Sequence, residues 1–485
     1  MTANGRSGSF VPGAVAGATR PPLQLTGVWV ASATGGTIVA GDPARVFSGV
    51  SIDTRTLTAG ALYIGIQGER FDGALFGGAA IVAGAAGVMV SRGAAPLERA
   101  DAVVIAVDDT TVALQALGRA VRRESGATVV AITGSAGKTT TKEITAEFLA
   151  ERYRVMRNRG NFNNHIGLPL SLTELSARPE MAVVELGMNH AGEIRTLVGV
   201  AEPDVRVWTN VGEAHLGYFS SLDAIADAKA EILEDAAAST LLVANADDPR
   251  IAARTAAFAG RVVTFGIDMA ADVRATGVVD RGIDGTRARV TTRSGGVELT
   301  TPLVGRSNLA NVLAATAVAT ELGIPLDAIA ARAAGLQPAA HRGEVVRLRG
   351  GVTVIDDSYN ANPTATRRAL DVLGGSADVS RRVAVLGEML ELGDRSAALH
   401  EEVGRAAAAA HVDLLLTVGG APAAALAEAA VASGVSRDRV RHFATSDEAA
   451  DAAVSLVKAG DLVLVKGSRG VRTDRVVDRL KAEQG

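Results

Sequence analysis

A chain of 485 residues exceeds one ordinary domain, and the usual length prior suggests about three. Its 48% hydrophobic and 21% charged residues let each unit bury a normal core, while a formal net charge of -4 offers no basic field for nucleic acid. There are no cysteines, which excludes disulfides, thiolate zinc sites and cysteine nucleophiles and suits the cytoplasm.

The segment from Met1 to Arg20 is rich in Gly, Ala, Ser and Pro and lacks an apolar centre, so residues 1–22 read as a disordered tail rather than a signal peptide. From Leu23 to Ser125, short apolar runs such as 46–50 and 61–66 alternate with Gly and Asp turns, followed by a helical pattern over 111–123. This predicts a small N-terminal α/β domain over 23–126. The longest clean apolar run, Ala79 to Val90, is too short to span a bilayer, so no membrane partner is expected.

A second unit, 127–337, opens with the strand-like run at Thr128 and continues with runs at 181–186, 205–209 and 240–244, separated by helical stretches as βαβ winding requires. Residues 272–303 alternate apolar and polar between glycine turns and predict a few antiparallel strands. The third unit, 338–485, has strand-like runs at 352–355, 382–386, 412–418 and 462–465 between alanine-rich helices, which predicts a parallel doubly wound sheet. In such sheets ligands lie beyond the carboxyl ends of strands, so the polar residues there are the candidates.

The strongest of these segments is 133–140, Thr-Gly-Ser-Ala-Gly-Lys-Thr-Thr, set between the strand at 128–132 and a helix over 142–149. Strand, glycine loop and helix together make a phosphate cradle. Backbone N–H groups converge at a helix N-terminus, Lys138 reaches the outer phosphates as a point charge, and Thr139 holds Mg²⁺ by its hydroxyl. The loop is the short G-x-x-G-K-T form: Gly134 makes its first turn, and Ile132 stands where a longer loop has its first glycine. The candidates for ATP are therefore Gly134, Ser135, Ala136, Gly137, Lys138, Thr139 and Thr140.

Beyond the next two strands come Glu185 and His215, which are placed to approach one nucleotide-bound metal. Mg²⁺ favours oxygen, so Glu185 suits it and His215 is a less typical ligand. A surface acid closing a strand and a hydrogen-bonded loop histidine are the plain alternatives. His190 carries no assignment. Lys229 sits in a helical pattern over 221–233 and by itself reads as a solvated lysine. Near metal and phosphates its amine could take up CO₂ as a carbamate, a role that residue pattern alone does not suggest. After the first strand of the third unit, Asp357, Tyr359 and Asn360 offer contacts to ribose or substrate, although loop asparagines also stabilise turns by themselves. Arg342, at the join of units two and three, either swings onto a phosphoryl group or makes an interdomain ion pair.

The order of these segments resembles the muramyl ligases of peptidoglycan synthesis. The shared features are 133–140, Glu185, His215 with Lys229, the run 305–311 and His341 to Glu344. Asp53-Thr54-Arg55, Phe71-Asp72-Gly73, the run 161–169, Tyr359 to Pro363 and 386–393 point to the branch that joins D-alanyl-D-alanine to a UDP-N-acetylmuramoyl-tripeptide. The resemblance implies a domain for the UDP end, a central P-loop ATPase and a C-terminal Rossmann-like domain closing over ATP. It implies a cytoplasmic monomer that uses ATP, two Mg²⁺ ions and a CO₂-derived carbamate on Lys229.

Residue by residue, it implies Lys138, Lys229, His215 and Arg342 as catalytic, with Thr139, Glu185, His215 and Lys229 at the metals. Asn308 would touch adenine, Arg342 a phosphate and Asp357 the ribose. Ser51, Asp53, Arg55, Gln67 and Gly68 would lie near UDP, and Asn163, Asn164, Tyr359 and Asn360 near the other substrates. Three positions depart from the family pattern: Ser307 replaces a histidine before Asn308, Gly217 an acid two residues after His215, and Glu388 an aspartate. Another amide ligase of the same architecture, such as one adding the third peptide residue or a folylpolyglutamate synthase, remains open, as does a P-loop switch that performs no ligation.

Overall fold

A computed structural model describes residues 20–68, 72–94, 101–256, 258–377 and 379–485. Most of the tail expected at 1–22, and Phe71, lie outside these residues.

Three large sheets divide the described chain, beside a two-stranded pairing of Leu25–Thr26 with Val46–Phe47. The first has five strands in the order Thr37–Ala40, Val103–Val107, Gly87–Ser91, Leu62–Ile64, Val50–Ser51, parallel except for the first pair. The apolar run 79–90 is broken here into a helix, Gly77–Val82, and the strand Gly87–Ser91. Gly84, at a φ of +103°, takes the left-handed turn between them, which a residue with a Cβ adopts only with strain. The helix Thr110–Ser125 starts where Asp109 accepts hydrogen bonds from the Thr111 and Val112 amides at 2.7 and 2.9 Å. Its Leu114, Leu117 and Val121 stripe is buried. The helix also docks the first unit on the second: Gly118 lies so close to helix Gly167–Leu172 that a Cβ would stand 2.7 Å from the Pro169 carbonyl oxygen.

The central sheet has nine strands. From one edge they run Gly295–Thr301, Thr286–Thr292, Val273–Asp280, Arg261–Gly266, Leu241–Asn245, Val205–Trp208, Thr128–Thr133, Met181–Glu185 and Val155–Arg157. The strands from 273 to 301 pair antiparallel, as their alternation predicts, and the rest are parallel. Two parallel strands, Val155–Arg157 and Arg261–Gly266, have no counterpart in the runs read from sequence, because three residues or a run opened by arginine carry little periodic signal. The strand Thr128–Thr133 lies between Met181–Glu185 on one side and Val205–Trp208 on the other, so the crossovers change direction there. That is the topological switch point, and its carboxyl end is the glycine loop.

The third sheet has six strands in the order Glu344–Arg347, Thr353–Asp357, Asp461–Lys466, Arg381–Gly387, Leu414–Val418, Val440–Phe443. The strands read from sequence pair parallel as expected, and an additional edge strand, Glu344–Arg347, pairs antiparallel with Thr353–Asp357. Central strands such as Leu414–Val418 and Asp461–Lys466 are buried throughout, as in sheets covered by helices on both faces.

Two glycines test this packing in opposite directions. Gly118→Ala crowds the Pro169 backbone and is expected to cost about 1–3 kcal/mol. Gly199, inside helix Glu193–Ala201, has open space around its Cβ position, so Gly199→Ala is expected to gain about 0.5–1 kcal/mol. Urea midpoints moving in opposite directions agree with the packing, and an unchanged midpoint for Gly118→Ala contradicts it.

Candidate active site

The glycine loop is held from behind by the neighbouring strand's end. Asn210 accepts from the Ala136 amide at 2.9 Å through Oδ1, and its Nδ2 donates to the Ala136 carbonyl at 2.9 Å. The Ser135 amide donates to the Asn210 carbonyl, and Ser135 Oγ donates to the Gly212 carbonyl at 3.1 Å. The amides of Ser135 and Ala136 therefore serve the loop itself. Among the described residues the amides of Gly137 to Thr140 have no protein acceptor, so phosphate donors concentrate at the N-terminus of helix Lys138–Leu149. Both glycines are required by close approach: a Cβ on Gly134 would fall 2.0 Å from Thr209 Oγ1, and one on Gly137 2.4 Å from Asn311 Oδ1. Ile132 ends up as a fully buried strand residue paired with Glu185, which is why no turn begins there.

Thr139 Oγ1 donates to Glu185 Oε2 at 2.7 Å, so a hydroxyl and a carboxylate share one position beside the loop. Glu185 is only 2% exposed and is gripped further by Asn163 Nδ2 on Oε1. It is no surface acid. An all-oxygen pair of this kind fits Mg²⁺ that also takes phosphate oxygens. Among the described residues no group of three or more His, Cys, Asp or Glu side chains is placed to hold a metal.

Lys138 curls back to donate to the Gly134 carbonyl at 2.9 Å. Burial holds its amine below the ordinary lysine value, with Glu185 raising it and Arg342 lowering it. Lys229, which reads from its helical pattern as a solvated lysine, is 1% exposed. Burial, followed by the charge of Lys138, pushes its amine well below the ordinary value. His215 adopts a left-handed φ of 61° and its Nδ1 lies 2.7 Å from Glu391 Oε2 of the third unit. Burial lowers its basicity, Glu391 opposes this, and Lys138 and Lys229 lower it further. The neutral ring that results is the form that ligates metals.

The third unit closes the other side. Arg342 lies 4.0 Å from the centroid of Tyr359, with Arg469 5.5 Å from the same ring. Stacking, rather than the ion pair considered as an alternative, sets the position of Arg342. Asp357 accepts from the buried Lys466 amine at 2.6 Å. Its neighbour Asp356 is wholly buried and binds His341 Nδ1 at 2.8 Å and Ser358 Oγ at 2.6 Å, fixing the join between units. Asn308 Nδ2 donates to the Val304 carbonyl and lies 3.8 Å from where a Cβ on Gly343 would be, so it faces that join. Ser307 is half-buried beside it in the first turn of helix Arg306–Glu321.

Other candidates have local work. Asn360 Oδ1 accepts from the Ala361 amide, and Asn164 Oδ1 accepts from the Ile166 and Gly167 amides at the start of a helix. Glu388 Oε2 accepts from the Gly420 amide at 2.7 Å. Ser51, Asp53 and Arg55 form one cluster, with Ser51 Oγ donating to the Asp53 carbonyl at 3.0 Å. Gln67 bridges to Asp72, and Gly68 follows it on the surface. The sequence reading missed Asn210, Asn311, Glu391, Lys466 and Arg469. None lies in the phosphate-loop pattern, yet Asn210, Glu391 and Arg469 follow strand ends and Lys466 closes a strand, where a search by position would have found them, whereas Asn311 sits within the helix that carries the run 305–311.

The chain matches the family descriptions Mur ligase family, catalytic domain, over residues 46–122, Mur ligase middle domain over 132–319, and Mur ligase, glutamate ligase domain, over 341–469. It is 36% identical over 437 residues to the UDP-N-acetylmuramoyl-tripeptide–D-alanyl-D-alanine ligase of Bacillus subtilis, covering 90% of this chain and 93% of that protein. The crystal structure of MurF from Acinetobacter baumannii superposes with a TM-score of 0.85 at 30% identity, covering 96% of this chain and 100% of the other. The MurF ligase of Thermotoga maritima in complex with ADP superposes with a TM-score of 0.78 at 28% identity, covering 90% and 97%.

One feature of the first unit is open to direct titration. Arg55 donates to Asp53 from Nε at 2.9 Å and Nη2 at 2.6 Å, and these bonds with the Arg55 amide hold the Asp53 carboxyl down at about 2. With a depressed folded value, whatever the contact adds to stability is present above the ordinary 3.8 and lost as pH falls through about 2. Carboxyl ¹³C NMR should show that midpoint in the intact chain and a return toward 3.8 in Arg55→Ala. An unshifted midpoint in the variant would contradict the pairing.

Proposed function

The chain belongs to the Mur ligase family, and from that membership and the site we propose a complete account of its reaction. It is an ATP-dependent ligase that joins D-alanyl-D-alanine to UDP-N-acetylmuramoyl-tripeptide, giving the pentapeptide precursor of peptidoglycan. The observation that carries the mechanism is the convergence of Lys138, Thr139 and Glu185 at the switch point, facing Arg342 across the join.

The tripeptide carboxylate oxygen attacks the γ-phosphorus of ATP. An O–P bond forms, the bond to the β–γ bridging oxygen breaks, and ADP leaves with that electron pair. The amine of D-alanyl-D-alanine then attacks the acyl carbon, loses a proton, and the tetrahedral intermediate expels phosphate. No protein nucleophile is needed. Lys138 and the amides of Gly137 to Thr140 orient the phosphates, and Arg342, held by Tyr359, supplies positive charge from the opposite wall. Thr139, Glu185 and His215 would hold Mg²⁺, which offsets charge between the reacting anions. Asn308 would contact adenine and Asp357 the ribose. Ser51, Asp53, Arg55, Gln67 and Gly68 would hold the UDP end, and Asn163, Asn164, Tyr359 and Asn360 the peptide substrates.

Lys229 is assigned a carbamate. A buried amine of depressed basicity keeps its lone pair, which attacks CO₂ and, on losing a proton, becomes a carboxylate. This would supply an oxygen ligand beside Glu185 where no group of three or more described His, Cys, Asp or Glu side chains is placed to hold a metal. The unit boundaries at 126 and 337, two metal ions, a cytoplasmic location and action as a monomer belong to the same proposal. Among the described residues no helix is long and apolar enough to cross a membrane.

Lys138→Ala should reduce turnover by several orders of magnitude with the fold intact by circular dichroism. Lys229→Ala should lose activity and regain part of it with added short carboxylates; full turnover without them would remove the carbamate. Phosphate release compared across D-alanyl-D-alanine, diaminopimelate, lysine and glutamate should favour the dipeptide, and preference for a single amino acid would overturn the substrate assignment.

A further inference from the structure

The two ring nitrogens of His215 have different surroundings. Nδ1 is 2.7 Å from Glu391 Oε2, and a carboxylate accepting there leaves the proton on Nδ1 and the lone pair on Nε2. His215 lies on the loop after strand Val205–Trp208 of the central sheet. Glu391 lies on the loop after strand Arg381–Gly387 of the third sheet. The contact therefore exists only while these two units are docked.

Glycines permit that docking. The Gly217 amide donates to the Glu391 carbonyl at 2.7 Å. A Cβ on Gly217 would stand 3.1 Å from that carbonyl oxygen and 3.2 Å from the Gly393 nitrogen, and one on Gly393 would stand 3.0 Å from Gly217 Cα. His215 and Glu391 both hold left-handed backbone, at φ 61° and 64°, which residues with a Cβ keep only where their surroundings impose it. The same loop is fastened a second time: Glu213 Oε2 accepts from Arg367 Nη2 at 2.6 Å and from Thr364 Oγ1 at 3.1 Å. Gly217 is also the position where the family pattern has an acid. Here the carboxylate near the histidine arrives from another unit, and the missing side chain is what admits its backbone.

We propose that Glu391 is a positioning residue for His215: reaching across the seam, it selects the tautomer whose Nε2 is free for a metal, and so couples metal affinity to docking of the third unit. A ligand imidazole whose other nitrogen is fixed by a carboxylate is oriented before the metal arrives. The inference rests on the reading of His215 as a metal ligand.

The test uses the full chain with ¹⁵N-labelled histidine and no metal, the His215 signals being identified by their loss in His215→Gln. Wild type and Glu391→Gln, whose amide oxygen can accept the same proton, should show Nδ1 protonated and Nε2 bare, and Glu391→Ala should show a mixture. Titration with Mn²⁺ in the presence of ADP should find binding weaker by roughly tenfold to a hundredfold in Glu391→Ala and in Gly217→Ala. Combining the two should add no further loss, and Glu391→Gln should stay close to wild type. An unaltered tautomer and unaltered Mn²⁺ affinity in Glu391→Ala overturn the proposal. Glu185→Ala separates the two readings: Mn²⁺ binding lost there keeps the metal site even if Glu391 plays no part, whereas binding retained there removes the site itself.

Discussion

A carboxylate and a triphosphate repel each other, and the reaction asks them to form a bond. Two unit charges 4 Å apart interact by about 4 kcal/mol at an effective dielectric of 20, so a site that brings anions together must hold cations in place beforehand. This chain keeps Lys138 and Arg342 near one another, close enough that the arginine's charge lowers the lysine's basicity, and Lys138 in turn lowers that of Lys229. Clustering like charges opposes folding. Here it is tolerated because Glu185 lies among them and because Lys229 gives up its proton readily.

The second constraint is geometric. The central unit alone supplies the glycine loop, the Thr139–Glu185 pair and Lys229, all anchored on strands or helices of one sheet. The opposing wall comes from the third unit through Arg342, Tyr359, Asp357 and Glu391. Contacts across the seam include polar pairs, Glu213 with Thr364 and Arg367, His215 with Glu391, and Arg347 with Asp284, and one buried apolar cluster takes in residues of both units, Leu216 and Met389 among them.

Much of this was legible in the chain itself. Segment 133–140 announced its role because a phosphate cradle needs small residues at fixed offsets, and the close approaches at Gly134 and Gly137 show why. The long buried strands were legible for the same reason that they are buried. Lys229 was not, since a helix lysine looks alike in sequence whether its amine meets water or the interior. Asn210 and Asn311 brace the loop from a distant strand end and helix, and although one follows a strand and the other lies in the run 305–311, neither position alone shows what it touches. Glu391 acquires meaning only through Gly217, at a position where the sequence showed a missing acid but could not show what fills its place.

The central claim is that the substrate carboxylate itself becomes phosphorylated before the amine attacks. Tripeptide substrate carrying ¹⁸O in its terminal carboxylate, turned over with ATP and D-alanyl-D-alanine, reports this directly by mass spectrometry of the released phosphate. Passage through an acyl phosphate transfers one labelled oxygen to phosphate for each amide formed. Amide formed together with unlabelled phosphate would contradict the account.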